Sequence, residues 1–316
     1  MPIQLTKSTL GFLLLILLGF TWGTGYSLAR FAMTNGVPPL GYSFWQSLGP
    51  ALIISCLVYT RRNTTKLSIS NYRYYLICGL TGIVIPNTAM YFAAPHLPAS
   101  ILAIIVNTVP IAAYPMSLIA RLETFNWQRI AGIILACCGL MLIIFPKSSL
   151  PSVDMIPWVL STLITPVSFA FCSIYIARYR PANSDSLSLT SGMLICSSLL
   201  LLPLVWLKQS FYLPHLPLTS ADGVILLEIL LSSFGYVLFF KLINIAGPVY
   251  YSLVDTIVVL TGLFWGHIIF GEQLNQWTTA AVCLIIFSLL LVTQQQRKIQ
   301  QRAYLKGKMT RAYENK

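Results

Sequence analysis

Two acidic residues, Glu228 and Asp255, stand inside long apolar stretches of this sequence. A charged side chain at the centre of a bilayer costs about 2.5 to 3.5 kcal/mol on insertion scales, so acids at such positions usually serve a function. Asp255 fits three roles: binding of a substrate or proton, an ion pair with Lys241, or a polar contact between helices. For Glu228 the pattern favours a water-reaching position near an entrance, with proton coupling as the alternative.

Two cations, Arg30 and Lys241, stand at the ends of apolar stretches. Long basic side chains at such positions commonly extend their charged ends to the interface between lipid and water. Either could instead bind the carboxylate of a substrate, because a guanidinium or ammonium group forms strong charge-assisted hydrogen bonds with an anion. Both roles remain open from the sequence.

Two amides, Asn87 and Asn107, lie in the middle of apolar stretches. Amides inside membranes either join helices by hydrogen bonds or line a cavity. Asn107 stands three residues before Pro110, whose ring leaves the carbonyl of Val106 without its helical partner. A polar side chain beside a broken turn is a candidate ligand site.

Aromatic residues are abundant, and most of them are expected in packing or at the membrane surfaces. Trp22, Tyr26 and Tyr91 are the better candidates for a cavity wall, since they stand in mid-stretch or near the amide-bearing faces. We therefore predict a substrate-binding site from Trp22, Tyr26, Asn87, Tyr91, Asn107 and Asp255. Aromatic walls favour an amphipathic or aromatic solute over an inorganic ion.

The elements that must hold these residues are membrane helices. The chain has 316 residues, of which 56% are hydrophobic and 9% are charged, whereas charged residues make up about a quarter of a soluble domain. Ten apolar runs reach spanning length, and no alternating strand pattern occurs, which predicts an all-α integral membrane protein. The runs cover residues 10–29, 40–60, 74–94, 98–120, 127–146, 156–177, 187–207, 222–243, 248–270 and 276–294.

Two short turns mark an internal duplication. Residues 123–126 read ETFN and residues 272–275 read EQLN, and a tryptophan follows each within two positions. We predict one five-helix repeat at 1–149, a second at 150–294, and a basic tail at 295–316. An odd number of spans per repeat makes the second repeat inverted. Glu123 and Glu272 are each expected to charge and cap the helix that follows.

The orientation is predicted from the basic residues. With ten spans, 17 of the 20 Lys and Arg residues fall on one side, and the side rich in basic residues is cytoplasmic. Both termini are therefore predicted in the cytoplasm, and the protein in the inner membrane of the cell. The basic tail accounts for much of the net charge of +12, so nucleic-acid binding is not indicated.

The sequence resembles the drug/metabolite transporter superfamily, and within it proteins with tandem EamA-like domains. The residues that carry the resemblance are LLGFTWGTGYSLARFA (17–32), ASILAIIVNTVPIAAYPMSLIARLETFNWQRIAGIILACCGLMLI (99–143) and VYYSLVDTIVVLTGLFWGHIIFGEQLNQW (249–277). The resemblance implies two inverted five-helix repeats around a central cavity, and outward movement of small organic solutes. Where many relatives carry an acid and a proline, this chain has Val258 and Val259. Asp255, about one turn earlier, is the candidate to replace that acid.

These observations predict a secondary transporter for a small organic metabolite, an amino acid or a related amphipathic or aromatic solute. It is expected to export by alternating access, with a proton exchanged through Asp255 or Glu228, as a monomer or homodimer in the lipid bilayer. No cofactor or metal is expected, because the three histidines are scattered and no metal or nucleotide-binding motif occurs. The alternatives are a membrane scaffold and, with less support, a membrane-embedded enzyme.

Overall fold

The computed structural model describes residues 7–60, 71–144, 152–182, 184–214, 217–246, 254–273, 275–288 and 291. Regular structure in these residues is entirely helical and forms ten helices. In chain order they are α1 (Lys7–Thr34), α2 (Pro39–Thr60), α3 (Tyr72–Ala93), α4 (Ala99–Ile119), α5 (Trp127–Ile144), α6 (Ile156–Tyr179), α7 (Ser186–Leu207), α8 (Ser220–Ala246), α9 (Val254–Phe270) and α10 (Gln276–Ser288).

Each of the ten predicted apolar segments overlaps one of these helices, which confirms an all-helical membrane protein. Six helices are long and apolar enough to cross a membrane by themselves, namely α1, α3, α4, α6, α7 and most of α8. Helix α1 continues past the predicted segment, so Arg30 lies inside it. Residues 248–253 of the ninth predicted segment, and the basic tail, lie outside the described residues.

The outer surface of the bundle is apolar, and its interior contains many polar side chains. Phe12, Ile16, Leu199 and Leu230 are among the large apolar residues that are exposed. Serine and threonine hydroxyls are buried between the helices, and the Ser55 and Ser191 hydroxyls join α2 to α7 at 2.7 Å. This distribution suits a protein surrounded by lipid, where apolar atoms face outward and polar groups must find partners inside.

Equivalent helices of the two halves make equivalent contacts. Helix α1 packs against α8 and α9, and α6 packs in the same way against α3 and α4. The α2–α8 contact has its counterpart in the α7–α3 contact, while α2 packs on α7 and α4 on α9. If every helix in these pairs is replaced by the helix five places away in chain order, the same set of pairs is obtained. The halves are therefore interleaved around one shared interface.

The regular α-helical pattern of α3 is interrupted in its middle. A π-helical turn at Leu80–Val84 precedes Pro86, and such turns interrupt the regular hydrogen-bond ladder. Helix α6 supplies replacement donors, since Ser168 Oγ donates to the Thr81 carbonyl at 2.6 Å and Thr165 Oγ1 to the Pro86 carbonyl at 2.9 Å. The Thr81 and Pro86 carbonyls at this interruption of α3 therefore have hydrogen-bond partners inside the bundle.

Helix α4 is broken at Asn107 and Thr108, close to the predicted position. Its first segment, Ala99–Val106, packs against α9, and its second, Val109–Ile119, packs against α6. Asn107 Nδ2 donates to the Ala103 carbonyl at 2.7 Å, and Thr108 Oγ1 donates to the Ile105 carbonyl at 2.6 Å. The two segments of this one helix therefore pack against two different helices of the second half, α9 and α6.

Helices α1 and α9 approach closely at Gly23. A Cβ atom at this position would lie 2.7 Å from the Val258 carbonyl oxygen, closer than real side chains come. Near Gly23, Trp265 Nε1 donates to Thr24 Oγ1 at 2.9 Å. A small residue at 23 is therefore required for the contact that fixes α1 beside α9.

Candidate functional site

A buried carboxylate lies at the middle of the bundle. Glu228 of α8 is only 6% exposed, and its Oε1 accepts a hydrogen bond from Ser232 Oγ at 2.8 Å. Its other oxygen, Oε2, is buried without a hydrogen-bond partner among the described residues. The interpretation of Glu228 as a water-reaching entrance residue is therefore wrong, because packing against neighbouring helices encloses it. A buried acceptor without a partner is costly, which suggests that it serves a ligand.

Three other helices face this carboxylate. A Cβ atom at Gly25 of α1 would lie 3.5 Å from Glu228 Oε2, so the carboxylate points at a position that has no side chain. The amide of Gln46 from α2 lies beside Glu228, and Asn87 Nδ2 of α3 donates to Gln46 Oε1 at 2.8 Å. Side chains from α2, α3 and α8 therefore converge on the open side of α1.

Tyrosines surround the same point. Tyr42 of α2, Tyr91 of α3 and Tyr236 of α8 all lie within electrostatic reach of Glu228. The rings of Tyr42 and Tyr91 meet edge to face, with centroids 4.8 Å apart. The hydroxyl of Tyr42 is buried and has no hydrogen-bond partner in the described part of the chain. The site thus combines aromatic faces with polar atoms that are not fully used.

We refer to these residues as the Glu228 cluster: Gly25, Tyr42, Gln46, Asn87, Tyr91, Glu228, Ser232 and Tyr236. Of the residues predicted from the sequence, it unites Asn87, Tyr91 and Glu228. Sequence reasoning missed Gln46, although the argument for Asn87 applies to it, since it is also an amide within an apolar helix. Tyr42 carried no comparable signal, because one tyrosine among many does not reveal its partners.

A second cluster of polar side chains lies between α1, α4 and α9. Asn107 Nδ2 approaches the Tyr26 hydroxyl at 3.3 Å, and Asp255 lies within electrostatic reach of the same hydroxyl. Asp255 is half-buried. The structure thus brings together Tyr26, Asn107 and Asp255, three residues of the predicted site, at the break in α4. Tyr26 directly follows Gly25 in α1, so the two polar groups occupy neighbouring positions along that helix.

The remaining predicted residues lie elsewhere. Trp22 is half-buried and packs against α8, with its ring 5.9 Å from that of Phe239 and its indole against Gly235. Lys241 is exposed, and the predicted ion pair with Asp255 does not occur in the described residues. Trp22 therefore contributes to the helix contact, and Lys241 faces the surroundings.

Arg30 is held by a carboxylate of the protein itself. It forms an ion pair with Glu272, and its guanidinium lies 4.4 Å from the centroid of the Phe270 ring. Glu272 also accepts hydrogen bonds from the backbone N–H groups of Ala99 at 2.7 Å and Ser100 at 3.1 Å. Arg30 is therefore not a free cation for a substrate in this conformation. We call this set, Arg30, Glu272, Ala99 and Ser100, the α4 latch.

The prediction that Glu272 caps the helix after it is wrong. Glu272 caps α4, a helix of the other half, because it reaches the first free N–H groups of that helix. The first turn of α10 is capped by Asn275, whose Oδ1 accepts from the Thr278 N–H at 2.8 Å. The turn that marked the duplication thus connects the two halves.

The equivalent residues of the other half are arranged differently. Glu123 corresponds to Glu272, but it pairs with Arg129 of α5. Arg178 corresponds to Arg30, but it is exposed, and its Nη1 donates to the Ala120 carbonyl at 3.5 Å. Asn126 caps α5 through the Gln128 N–H at 2.9 Å, so Glu123 is not the hydrogen-bonding cap there. The duplicated arginine–glutamate pair is closed at one end of the molecule and open at the other.

Comparison with known proteins agrees with this architecture. The chain is 25% identical over 233 residues to Protein PecM of Dickeya dadantii, covering 73% of this chain and 76% of PecM. It is 20% identical over 218 residues to an uncharacterized transporter of Archaeoglobus fulgidus, covering 69% and 76% of the two chains. A crystal structure that is 15% identical covers 89% of this chain and 97% of its own, with a TM-score of 0.57, and shares the fold.

The two halves match one family separately. The model of the EamA-like transporter family matches residues 9–145 and again residues 156–294. Each match contains five of the ten helices, so the duplication marked by the ETFN and EQLN turns is confirmed. The helical bundle, the apolar surface and the two matches lead to one conclusion. The chain belongs to the EamA-like transporter family, as a membrane transporter with two tandem copies of the family's domain.

Proposed function

We propose that this transporter moves a small organic metabolite by alternating access and holds it at the Glu228 cluster. The observation that carries the proposal is a carboxylate buried among tyrosines and amides from three helices, α2, α3 and α8, beside Gly25 of a fourth helix, α1. Intramembrane acids mark substrate and ion pathways, and carriers with repeated halves bind their solutes near the interface of the repeats. The aromatic walls suit an amino acid or a related amphipathic or aromatic solute.

The two repeats, 1–149 and 150–294, are inverted in this proposal. Support comes from the five helices in each family match, since an odd number of spans reverses the second copy. The exchangeable helix contacts provide further support. In this proposal both termini lie in the cytoplasm and the protein lies in the inner membrane. The excess of basic residues on one side supports this orientation.

Glu228 is the principal candidate for proton coupling, and Asp255 is the second. A coupling carboxylate must accept a proton and a substrate in turn from an enclosed site. Glu228 is 6% exposed and has one unbonded oxygen, whereas Asp255 is half-buried at the neighbouring group. In our proposal Glu228 binds the solute from the cytoplasmic side. Glu228 then takes up a proton from outside, and this releases the solute there.

Transport in proteoliposomes tests coupling. The full-length protein would be reconstituted, and the uptake of a labelled mixture of amino acids and organic amines would be measured with and without a pH gradient. We expect the gradient to drive accumulation by the wild type. The variant Glu228→Gln should lose the response to the gradient, because its amide cannot carry a proton, and any exchange of labelled for unlabelled solute that remains should not depend on pH.

Two further variants make this test specific. Asp255→Asn should retain part of the response to the pH gradient if Asp255 is the second site. Asp154→Asn is the matched control, since Asp154 is exposed and its change should alter neither exchange nor coupling. If Glu228→Gln followed the pH gradient as well as the wild type does, Glu228 would not be the coupling residue.

A further inference from the structure

Inside the bundle, the described acidic side chains include two without a basic partner, whereas the described basic side chains are paired. Among basic side chains whose burial the structure describes, Arg30 and Arg129 alone are not exposed, and each is paired with a glutamate. Glu228 and Asp255 have no ion pair with a basic group in the described residues. The part of the interior that the structure describes therefore offers carboxylates to a ligand, and its two cations are already in ion pairs.

From this imbalance we infer that the Glu228 cluster binds the ammonium group of an organic amine, with the aromatic or aliphatic part of that amine against the tyrosines. The inference rests on the proposed function and narrows its substrate class. It favours amines over amino acids and carboxylic acids. An amino acid would bring a carboxylate into a site where no cation is free to receive it, and a buried unpaired charge is costly.

The polar atoms of the cluster match a primary ammonium group. Such a group donates three hydrogen bonds, and it binds most strongly to an ionised acceptor. Glu228 Oε2 and the Tyr42 hydroxyl are both buried without hydrogen-bond partners in the described residues. Tyr42, Tyr91 and Tyr236 lie within electrostatic reach of the same carboxylate, so an ammonium bound there would also gain the attraction of aromatic rings for a cation. One amine would thus satisfy groups that the protein leaves unsatisfied.

Gly25 provides the space that the amine requires. A Cβ atom there would lie 3.5 Å from Glu228 Oε2, which is an ordinary contact distance and not a clash. The substitution Gly25→Ala would therefore be tolerated by the fold, while its methyl group would occupy the position in front of the carboxylate. This variant tests the space without removing the charge.

The inference implies a pH dependence of a stated sign. Glu228 must be ionised to bind an ammonium, so binding should strengthen as the pH rises and the carboxylate loses its proton. The titratable groups within electrostatic reach of it are Tyr42 from α2, Tyr91 from α3 and Tyr236 from α8, while α1 presents Gly25. Tyrosines are neutral below a pH of about 10, so the carboxylate alone sets the charge of the cluster in the working range.

Three probes with the same ring distinguish the classes: phenethylamine, phenylalanine and 3-phenylpropionate. Their binding to the purified full-length protein would be measured by calorimetry and by thermal stability. We expect phenethylamine to bind at least about tenfold more tightly than the other two, as one charge-assisted hydrogen bond predicts. Its affinity should rise with pH. Glu228→Gln should lose about tenfold or more, Gly25→Ala should lose several-fold, and Asp154→Asn should match the wild type.

The outcomes separate the substrate class from transport itself. The inference is overturned if phenylalanine or 3-phenylpropionate binds as tightly as the amine, if none of the three probes binds, or if Glu228→Gln binds the amine normally. Counter-transport of whichever probe binds would still support the proposed function. If the amine binds as expected but is never moved in proteoliposomes, the inference stands and the transport function fails. Should Glu228→Gln not fold, Gly25→Ala provides the decisive variant.

Discussion

At the scale of single residues, the cost of burial indicates which groups serve a ligand. Ser232 satisfies one oxygen of Glu228, yet Oε2 of the same carboxylate and the hydroxyl of Tyr42 are buried without partners in the described residues. Proteins rarely leave such groups unbonded, because each costs about 1 to 3 kcal/mol. A ligand at the Glu228 cluster would supply the missing donors and acceptors.

The hydroxyl of Tyr42 allows a direct test at this scale. We expect Tyr42→Phe to leave the thermal stability of the ligand-free protein unchanged or slightly raised, because it removes a buried group that has no partner. Affinity for phenethylamine should fall. Tyr114→Phe is the contrasting variant, since the Tyr114 hydroxyl accepts from the Asn126 N–H at 2.7 Å and its loss should lower stability. A marked loss of stability in Tyr42→Phe would contradict the assignment.

At the scale of helices, the α4 latch holds the two halves together at one end. Glu272 follows α9, yet it caps α4 and pairs with Arg30 of α1, so a single carboxylate joins three helices. An anion at the N-terminus of a helix is favoured by the helix dipole, and removing one partner of a partly buried pair leaves the other uncompensated. The connection between α9 and α10 is thereby fixed to the start of α4.

We expect Glu272→Gln to lower the free energy of unfolding by about 2 kcal/mol, because it uncouples Arg30 and weakens the cap of α4. Thermal unfolding of the purified protein would measure the change. Asp154→Asn is the control, since Asp154 is exposed and forms no ion pair in the described residues, and it should cost little. Equal losses in the two variants would show that the bond to α4 contributes nothing.

At the scale of the whole molecule, a symmetric duplication adopts an asymmetric conformation. Equivalent helices of the two halves make equivalent contacts. Arg30 nevertheless pairs with Glu272, whereas the equivalent residues Arg178 and Glu123 have other partners. Alternating access would arise naturally if the two arginine–glutamate pairs closed in turn. In the conformation described here, the pair at the start of α4, Arg30 with Glu272, is closed.

Crosslinking can test this alternation. In a background without the seven native cysteines, we expect the pair Arg30→Cys with Glu272→Cys to crosslink readily and to arrest transport in proteoliposomes. The pair Arg178→Cys with Glu123→Cys should crosslink only while the carrier turns over, because those positions meet in the opposite conformation. Crosslinking of the second pair at the same rate in the resting protein would argue against closure in turn.

The sequence by itself determined the elements. Ten apolar runs lead to ten helices because a chain in lipid must satisfy its backbone hydrogen bonds internally, and this requirement is local. The break at Asn107 followed from the missing N–H of Pro110, and the duplication followed from the two matching turns. The helices and the break depend on residues that are close in sequence, and the duplication depends on a comparison of two short stretches of the sequence.

Tertiary structure alone decided which side chains face one another. Glu228 was expected to reach water and is enclosed, Gln46 was overlooked and lies beside it, and Glu272 caps a helix about 170 residues earlier in the chain. A helix shows different residues on every side, so the sequence cannot indicate which side meets a distant neighbour. That choice depends on the packing of all ten helices together, because a buried polar group is placed by partners from other helices.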